Sequence, residues 1–411
     1  MINKISDVTQ DFSKVATKKV LIYSLAQRMV LGISGGLVGP LIPIIAKDLN
    51  IGLDKIGATI SFSILAILLT AIVLNNFIDN LGFKKVLIAG LVFLSSGALG
   101  IFLSKTFIFF IVFYFIYQLG IGILSITIFS IIGGVLFEEK SRRIMQTSIY
   151  YSMGVIIAPL LVSLFIGVKL NWQLIFLSLV IIQIMLGIFL ISIKIPKIIK
   201  PKKNIKNLFS IDKKIIFNSF FIIIGFMIFL YSAVVDTFFT WFTSYFESLN
   251  IEVFKSSLFL ALYSMSLFIG MIIKNKLIRK VEEKKLLMWG ILLSFVFMIL
   301  IFFIRNLIIK NIMLFFYGIC ITANFSFMVI LSLNLGSKYA SSIAAYTHAA
   351  AYLGSIIFQY VSGFMSEHFS KNSVFYIDIS LLFIIFILAI VINNKKMKTP
   401  YQVETKKQKQ V

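Results

Sequence analysis

Apolar runs of about 20 residues recur along the whole chain, and most charged residues gather between them. Each run is long enough to cross a ~30 Å hydrocarbon layer as a helix, and a helix satisfies its own backbone hydrogen bonds in lipid. With 59% hydrophobic and 13% charged residues and a mean hydropathy of +1.01, the composition lies outside the range of soluble globular proteins. The sequence therefore predicts an all-α polytopic membrane protein.

Twelve membrane spans are predicted. They lie at about 20–46, 55–78, 84–104, 107–136, 144–168, 172–194, 215–246, 253–274, 285–304, 308–335, 340–365 and 373–393. The predicted domains are an N-terminal six-helix bundle (1–194), a basic linker (195–214), a C-terminal six-helix bundle (215–394) and a basic tail (395–411). The polar N-terminus has no short apolar stretch with a small-residue cleavage site, so no cleaved signal peptide is expected.

The net charge of +23 is distributed unevenly. If the N-terminus is cytoplasmic, the cytoplasmic segments hold 30 of the 39 Lys and Arg, the outer loops hold 8, and Arg28 lies within a span. This is the positive-inside pattern, so both termini are expected in the cytoplasm and the basic segments against anionic lipid rather than nucleic acid. The predicted location is the plasma membrane, in a bacterium. Cys320 is the only cysteine, which excludes an internal disulfide.

A stretch between the second and third predicted spans returns 200 residues later. Residues 75–87 and 275–287 share five of thirteen positions, namely Asn75, Ile78, Lys84, Lys85 and Leu87. The same offset relates 49–51 to 249–251, where Leu-Asn-Ile recurs, and relates Gly154 to Gly354. A constant offset indicates an internal duplication, so the two halves are expected to be similar bundles of the same orientation.

The loop between the second and third spans resembles the signature loop of the major facilitator superfamily. In that loop an acid precedes a Gly and a pair of basic residues, and Asp79, Gly82, Lys84 and Lys85 fit this order, with Asn75 in place of the family's first Gly. The resemblance implies a fold of two six-helix bundles related by pseudo-two-fold symmetry. It also implies that these four matching residues form a conformational latch.

The seventh span contains a second resemblance. Tyr231, Asp236, Trp241 and Tyr245 are similar in order to a Tyr, Glu, Trp, Tyr pattern of fucose-permease-like sugar transporters. That likeness implies a sugar as the substrate, and Trp241 would then stack on its ring. The alternative is that Trp241 and Tyr245 belong to the aromatic belt at the membrane interface.

Asp236 is the strongest candidate for chemistry, because an ionisable residue inside a span is costly and usually faces a cavity or a partner. It shares one helical face with Ser232, Thr240 and Thr243. A carboxyl in a low-dielectric site tends to hold a proton, which makes Asp236 the candidate for proton coupling. The alternative is a structural carboxylate that bonds to a neighbouring helix.

Two other ionisable residues lie within predicted spans. Arg28 lies nine residues past Lys19, roughly 14 Å along the helix axis. It could hold an anionic group, pair with a carboxylate, or extend to the cytoplasmic interface. Asp378, five residues into the last span, is expected near the outer interface.

The eleventh span has the longest polar face, at helical spacing. Its members are His348, Tyr352, Ser355, Gln359 and Ser362. Polar side chains in a membrane helix must face protein or water, although a lone His is more often structural than a proton relay. The full set of candidate substrate-cavity residues is Arg28, Tyr114, Gln118, Ser232, Thr240, Trp241, Asn324, His348, Tyr352 and Gln359.

These features predict a secondary transporter that carries a small polar organic solute, such as a sugar, by alternating access with proton coupling. The runner-up is a proton-driven drug or metabolite efflux antiporter, because Gly154 and Pro159 resemble the Gly-Pro motif of exporters. A third alternative is an organic anion exchanger that uses Arg28. No Walker loop, metal motif or catalytic set is found, so neither an enzyme nor a cofactor or metal site is expected. A monomer is expected.

The uneven charge distribution generates a topological prediction. In a Cys320→Ala background, single cysteines at Lys203 and Thr405 are expected to react with an impermeant maleimide only after the cytoplasmic side is exposed. Labelling of either cysteine from outside in intact cells would refute the twelve-span topology.

Overall fold

The computed structural model describes residues 14–135, 140–193, 195, 217–335 and 340–394, so most of the linker and the tail lie outside the described residues. The helices of the first half are α1 (Lys14–Gly36), α2 (Val38–Asp48), α3 (Leu53–Leu81), α4 (Phe83–Leu103), α5 (Phe107–Val135), α6 (Lys140–Gly167) and α7 (Gln173–Ile191). Those of the second half are α8 (Ser219–Ser248), α9 (Val253–Leu277), α10 (Glu283–Phe303), α11 (Leu307–Ile321), α12 (Asn324–Leu333), α13 (Ala340–His368) and α14 (Ser373–Asn394).

Two predicted spans are broken. The first consists of α1 and α2, which meet at an angle of 42°. The tenth consists of α11 and α12, separated at Thr322 and Ala323, where Ala323 has a φ of 63°. With each broken pair taken as one span, the described residues contain the twelve helices of the predicted all-α membrane fold. Eleven of them are apolar enough to cross a membrane by length and composition.

The twelfth helix, α13, is equally long but less apolar, because it carries the polar face found in the sequence. Its 29 residues include five Ser, one Thr, two His and one Gln. A helix of this kind is stable in a membrane only if its polar face packs against protein or water. The composition that excludes α13 from a simple hydropathy count is therefore a sign of its place in the site described below.

The helices pair in the same way in both halves. In the first half α1 packs on α6, and α4 packs on both α5 and α7. In the second half the equivalent pairs are α8 with α13, and α10 with α11 and α14. The repeated pairing is the structural form of the 200-residue offset in the sequence.

The offset is visible at single residues. Asn50 and Asn250 both have left-handed backbone, with φ of 49° and 61°, and each follows the end of a helix. Gly154 and Gly354 both lie where a Cβ would overlap a backbone carbonyl of the neighbouring helix, that of Met29 and of Phe229 respectively. Only a Gly permits helices to approach so closely, which explains why these positions recur.

Compact packing divides the described residues into two units. The first unit takes those within Met1–Ile51, Phe62–Lys202 and Val253–Leu258, and the second takes those within Gly52–Ser61, Lys203–Glu252 and Phe259–Val411. The first turns of α3 thus belong to the second unit. There Glu367 accepts a hydrogen bond from the Leu53 backbone N–H at 2.7 Å, which satisfies one of the free donors at the start of α3.

The core of the second unit is aromatic around Phe238. Its ring lies 5.0 Å from that of Tyr263, 4.9 Å from that of Tyr317 and 5.7 Å from that of Phe375, measured between centroids. These residues come from α8, α9, α11 and α14, so one ring holds four helices together. Tilted and edge-on pairs of this kind add to the free energy gained by burial.

Three charged residues are more buried within the protein than the sequence indicated. Lys274 and Lys310, which the charge count placed in loops, are only 7% and 3% exposed. Asp378, expected near the outer interface, is 0% exposed and bonds to Thr237 of α8 at 2.8 Å. Distance from a span end was a poor guide, because helix packing rather than sequence position decides which face of a terminal turn is covered.

The turn between α3 and α4 generates a stability prediction. Gly82 has φ 80° and ψ 159°, a conformation open almost only to Gly, whereas the equivalent Glu282 has φ −60°. Gly82→Ala is expected to destabilise the fold by about 1–3 kcal/mol, seen as a lower thermal unfolding midpoint in detergent. Glu282→Ala is the matched control and should change the midpoint little. Equal midpoints for the two variants would contradict the conformational explanation.

Candidate substrate and proton site

Asp236 lies in the middle of α8, on the side that packs against α13. Its side chain is exposed, and its carboxylate accepts a short hydrogen bond from the Ser355 hydroxyl. Ser355 itself is buried. The carboxylate therefore has one fixed protein partner and is not covered by other side chains, an arrangement in which a proton can be exchanged.

Gln359, one helical turn beyond Ser355, ties α13 to α8 through three hydrogen bonds. Its Nε2 donates to the backbone carbonyl of Asp236 at 3.0 Å and to Thr240 Oγ1 at 2.9 Å. Its Oε1 accepts from Trp241 Nε1 at 3.0 Å. Because every polar atom of this buried amide is used, Gln359 fixes the position of the α8 segment that carries Asp236.

Trp241 and Tyr245 are both buried and so do not belong to an interfacial aromatic belt. Trp241 bonds to Gln359, and the Tyr245 hydroxyl accepts from Lys310 Nζ at 2.7 Å. The indole of Trp241 thus positions the network around Asp236, and its ring packs beside Gly363 of α13.

The remaining candidates of the second unit are spread out. Ser232 is buried on α8 and Tyr352 is half-buried on α13. His348 is exposed, with its ring 5.5 Å from that of Phe325. Asn324 is the first residue of α12, at the break in the tenth span. Its side chain bonds to Lys274 and not to the residues around Asp236.

Lys274 is a buried lysine at the break in the tenth span that sequence reasoning missed. Its ammonium group donates to the carbonyls of Cys320 and Thr322, at 2.5 and 2.7 Å, and to Asn324 Oδ1 at 2.8 Å. It therefore caps the broken end of α11, where carbonyls lack helical partners and the helix dipole favours a cation. Lys274 is the last residue of the predicted span 253–274, and it was counted with the following loop. Its position at the end of a span was the one signal that could have revealed it.

In the first unit, the Arg28 guanidinium is buried between two aromatic rings. Its central carbon lies 4.6 Å from the centroid of Phe129 and 4.5 Å from that of Tyr151, and Nη1 lies 3.5 Å from Ser125 Oγ. Cation–π contacts of this kind stabilise a desolvated guanidinium. The side chain thus turns into the unit rather than extending to the interface.

The other candidates of the first unit form paired contacts. Gln118 Nε2 donates to the Tyr114 hydroxyl at 3.0 Å, and both side chains are buried on α5. A second amide pair joins Gln27 of α1 to Gln183 of α7 at 3.1 Å. Within the described residues, no cluster of three or more His, Cys, Asp or Glu side chains could hold a metal ion.

Of the predicted latch residues, Lys84 is the best defined. Its Nζ donates to the carbonyls of Ile191 and Ile193, at 2.8 and 2.9 Å, and so caps the end of α7 within the same unit. Gly82 provides the turn before α4, and Lys85 is exposed. The side chain of Asp79 lies outside the described residues.

Comparison with known proteins identifies the family. A family model described as Major Facilitator Superfamily matches residues 25–359. The chain belongs to the major facilitator superfamily. It is a multi-pass membrane protein of a family of transporters, with the fold that its signature loop implied. A second model, described as the BT1 family, matches residues 323–411.

Solved structures of low sequence identity share the major facilitator fold. A D-xylose-proton symporter has a TM-score of 0.75 and 13% identity, covering 93% of this chain and 99% of that one. The nucleoside transporter NupG has a TM-score of 0.75 and 15% identity, covering 93% and 100%. A bacterial homolog of the human lysosomal transporter Spinster, inward-facing and unoccupied, has a TM-score of 0.76 and 12% identity, covering 93% and 98%.

A sequence relative is the protein TsgA homolog of Buchnera aphidicola subsp. Schizaphis graminum (strain Sg). It is 27% identical over 232 residues, which cover 55% of this chain and 58% of the relative. The match thus spans little more than half the length of that relative.

The Gln359 bridge generates a stability prediction. Gln359→Leu removes the partner of the buried Trp241 N–H, and an unsatisfied buried donor costs about 1–3 kcal/mol. We expect a clear fall in the thermal unfolding midpoint in detergent. Gln173→Leu, which removes a less buried amide bonded to Asp48 at 3.1 Å, is the matched control and should cost less. An equal fall of the midpoint in both variants would show that the hydrogen bonds of Gln359 between α8 and α13 contribute no more to stability than the bond of Gln173.

Proposed function

We propose that this member of the major facilitator superfamily carries a small polar organic solute, of the sugar or nucleoside class, by proton-coupled secondary transport. The observation that supports this most is the exposed Asp236 carboxylate, which bonds to Ser355 in the middle of the seventh span. The polar side chains of Thr240 and Gln359, which bond to each other, lie close to it. Hydroxyl, amide and carboxylate groups at one place are the donors and acceptors that a polyhydroxylated solute needs. D-xylose and nucleosides, the solutes named for two similar structures, both contain such a ring.

In this proposal Asp236 couples the proton to the solute. An ionised carboxylate in a low-dielectric site costs several kcal/mol unless it is paired, so the carboxyl is protonated when the site is closed to water. It releases the proton when water reaches it on the other side. If solute and proton favour the same conformation, each raises the affinity for the other, and the proton gradient then drives accumulation.

The remaining parts of the proposal follow from the family and the charge distribution. The transporter would lie in the plasma membrane of a bacterium as a monomer, with both termini in the cytoplasm and its basic segments at anionic lipid headgroups. Lys84 and Gly82 would act with Asp79 in the conformational latch, because Lys84 already binds the end of α7. The two bundles would alternate in exposing the site to either side of the membrane.

The role of Asp236 can be tested in proteoliposomes with an imposed pH gradient, using radiolabelled D-xylose and uridine as probes. Asp236→Asn is expected to reduce gradient-driven accumulation to the level of empty liposomes, because Asn cannot carry the proton. Exchange of internal for external solute should partly survive, since exchange does not require proton release. Asp236→Glu should retain some driven uptake.

The control is Ser355→Ala, which removes the hydrogen bond but keeps the carboxyl. It should preserve driven uptake with a shifted pH profile. If the Asn variant is present in the membrane and still accumulates solute against its gradient, Asp236 is not the coupling residue. If no variant and no wild-type sample moves either probe, the proposed solute class is wrong.

A further inference from the structure

A second carboxyl contacts α8 at the residue after Asp236, from a different helix than Ser355. Asp378 of α14 is fully buried, and its Oδ1 lies 2.8 Å from Thr237 Oγ1, next to Asp236 in the chain. Its Oδ2 has no hydrogen-bond partner among the described residues, and no Lys or Arg of those residues lies within ion-pair distance of it. Sequence analysis assigned no role to Asp378, and the proposed coupling at Asp236 does not use it.

The hydrogen bonds of Thr237 are compatible with a neutral Asp378, because Thr237 Oγ1 lies within hydrogen-bond distance of two oxygens. Thr237 Oγ1 lies 2.7 Å from the carbonyl of Ala233, the bond that a helical Thr ordinarily donates to the preceding turn. A hydroxyl has one hydrogen to donate. If it is directed to Ala233, the hydrogen between Thr237 and Asp378 must come from the carboxyl, which is then a neutral acid.

The energy of burial favours the same form. Moving an unpaired carboxylate from water into a site of this kind costs several kcal/mol even after relaxation. The neutral acid avoids that cost and makes one normal hydrogen bond to Thr237. A buried acid that lacks a cation partner is therefore expected to keep its proton in the conformation seen here.

Two tyrosine hydroxyls near Asp378 have unused hydrogen-bonding capacity. Tyr263 of α9 and Tyr317 of α11 are fully buried, with rings 5.8 Å apart and nearly parallel, and neither hydroxyl has a partner among the described residues. Both rings pack against Phe238, the residue that follows Thr237 on α8, at 5.0 and 4.9 Å between centroids. Buried polar atoms normally have hydrogen-bond partners. The hydroxyls of Tyr263 and Tyr317 are therefore able to donate to a carboxylate if the side chains around Asp378 rearrange.

The titratable groups around Asp378 are few. On α8 they are Asp236 and Tyr231, whose hydroxyl donates to the carbonyl of Ile321 at 2.6 Å. Farther out along α8, Tyr245 holds Lys310. On α10, the stretch from Leu286 to Phe303 contains none. The helix α14, which carries Asp378, packs against α8, α10 and α13. The titratable residues of α13 are Tyr346, His348, Tyr352, Tyr360, Glu367 and His368.

We propose that Asp378 is a second proton-binding residue of this transporter, protonated and bonded to Thr237 in the present conformation. In another conformation it would release the proton to water and be stabilised as a carboxylate by Tyr263 and Tyr317. This role rests on the proposed proton-coupled function. It gives α8 one exposed carboxyl, that of Asp236, and one buried carboxyl at the next residue, where Asp378 bonds to Thr237.

The test is infrared difference spectroscopy of the purified protein in lipid, titrated with pH and without any solute. We expect a carboxylic-acid C=O band at neutral pH that Asp378→Asn removes and that the exposed-residue control Glu252→Gln leaves unchanged. The band should disappear at high pH, and Tyr263→Phe with Tyr317→Phe should require a higher pH for its loss, because the carboxylate then lacks donors. Asn is neutral and of equal size, so Asp378→Asn should fold, as size-exclusion chromatography would show.

Two outcomes would overturn this proposal. Absence of any band sensitive to Asp378→Asn would show that the residue is ionised. A band that persists throughout the titration would show a structural acid that binds no exchangeable proton. Neither outcome depends on transport, so a failure of coupling at Asp236 in proteoliposomes and a failure at Asp378 in the spectrum are separate results.

Discussion

In a lipid bilayer no water is available to backbone groups, so each N–H and C=O within the membrane must find its partner in the protein. Continuous helices meet this condition by themselves, and the breaks show how strictly it applies. Where the tenth span is interrupted at Thr322 and Ala323, the ammonium of Lys274 occupies the end of α11 and uses all three of its hydrogens on oxygens there. Lys84 fills the same role at the end of α7.

The same condition governs polar side chains and thereby organises α8. Two adjacent residues of this helix bond to different neighbours: Asp236 to Ser355 of α13, and Thr237 to Asp378 of α14. A movement of α8 against α13 would disturb the bond between Asp236 and Ser355, and a movement of α8 against α14 would disturb the bond between Thr237 and Asp378. The helix is thus the element through which a proton at one carboxyl would affect the other, since both depend on its position.

Much of the fold could be predicted from the sequence, because the signals are repeated many times over. The apolar runs gave the spans, and the constant offset gave two similar halves, as Asn50 and Asn250 show in their shared backbone conformation. The polar face of α13 was also visible in its spacing, although not its partners. The misses were Lys274 and Asp378, since a charged residue near a span end is compatible with either loop or core until the neighbouring helices are known.

The duplication preserves the scaffold but not the chemistry. Subtracting 200 from the numbers of four charged residues within the helices of the second half gives apolar or small residues in the first. The pairs are Asp236 with Gly36, Lys274 with Leu74, Lys310 with Phe110 and Asp378 with Ser178. Conversely, Arg28 corresponds to Ile228. Because close packing depends on positions that recur, such as Gly154 and Gly354, the two halves can keep one architecture while ionisable groups accumulate in only one of them. Charge-bearing steps of the proposed mechanism therefore fall to the second unit, and the Arg28 guanidinium of the first unit packs between two aromatic rings.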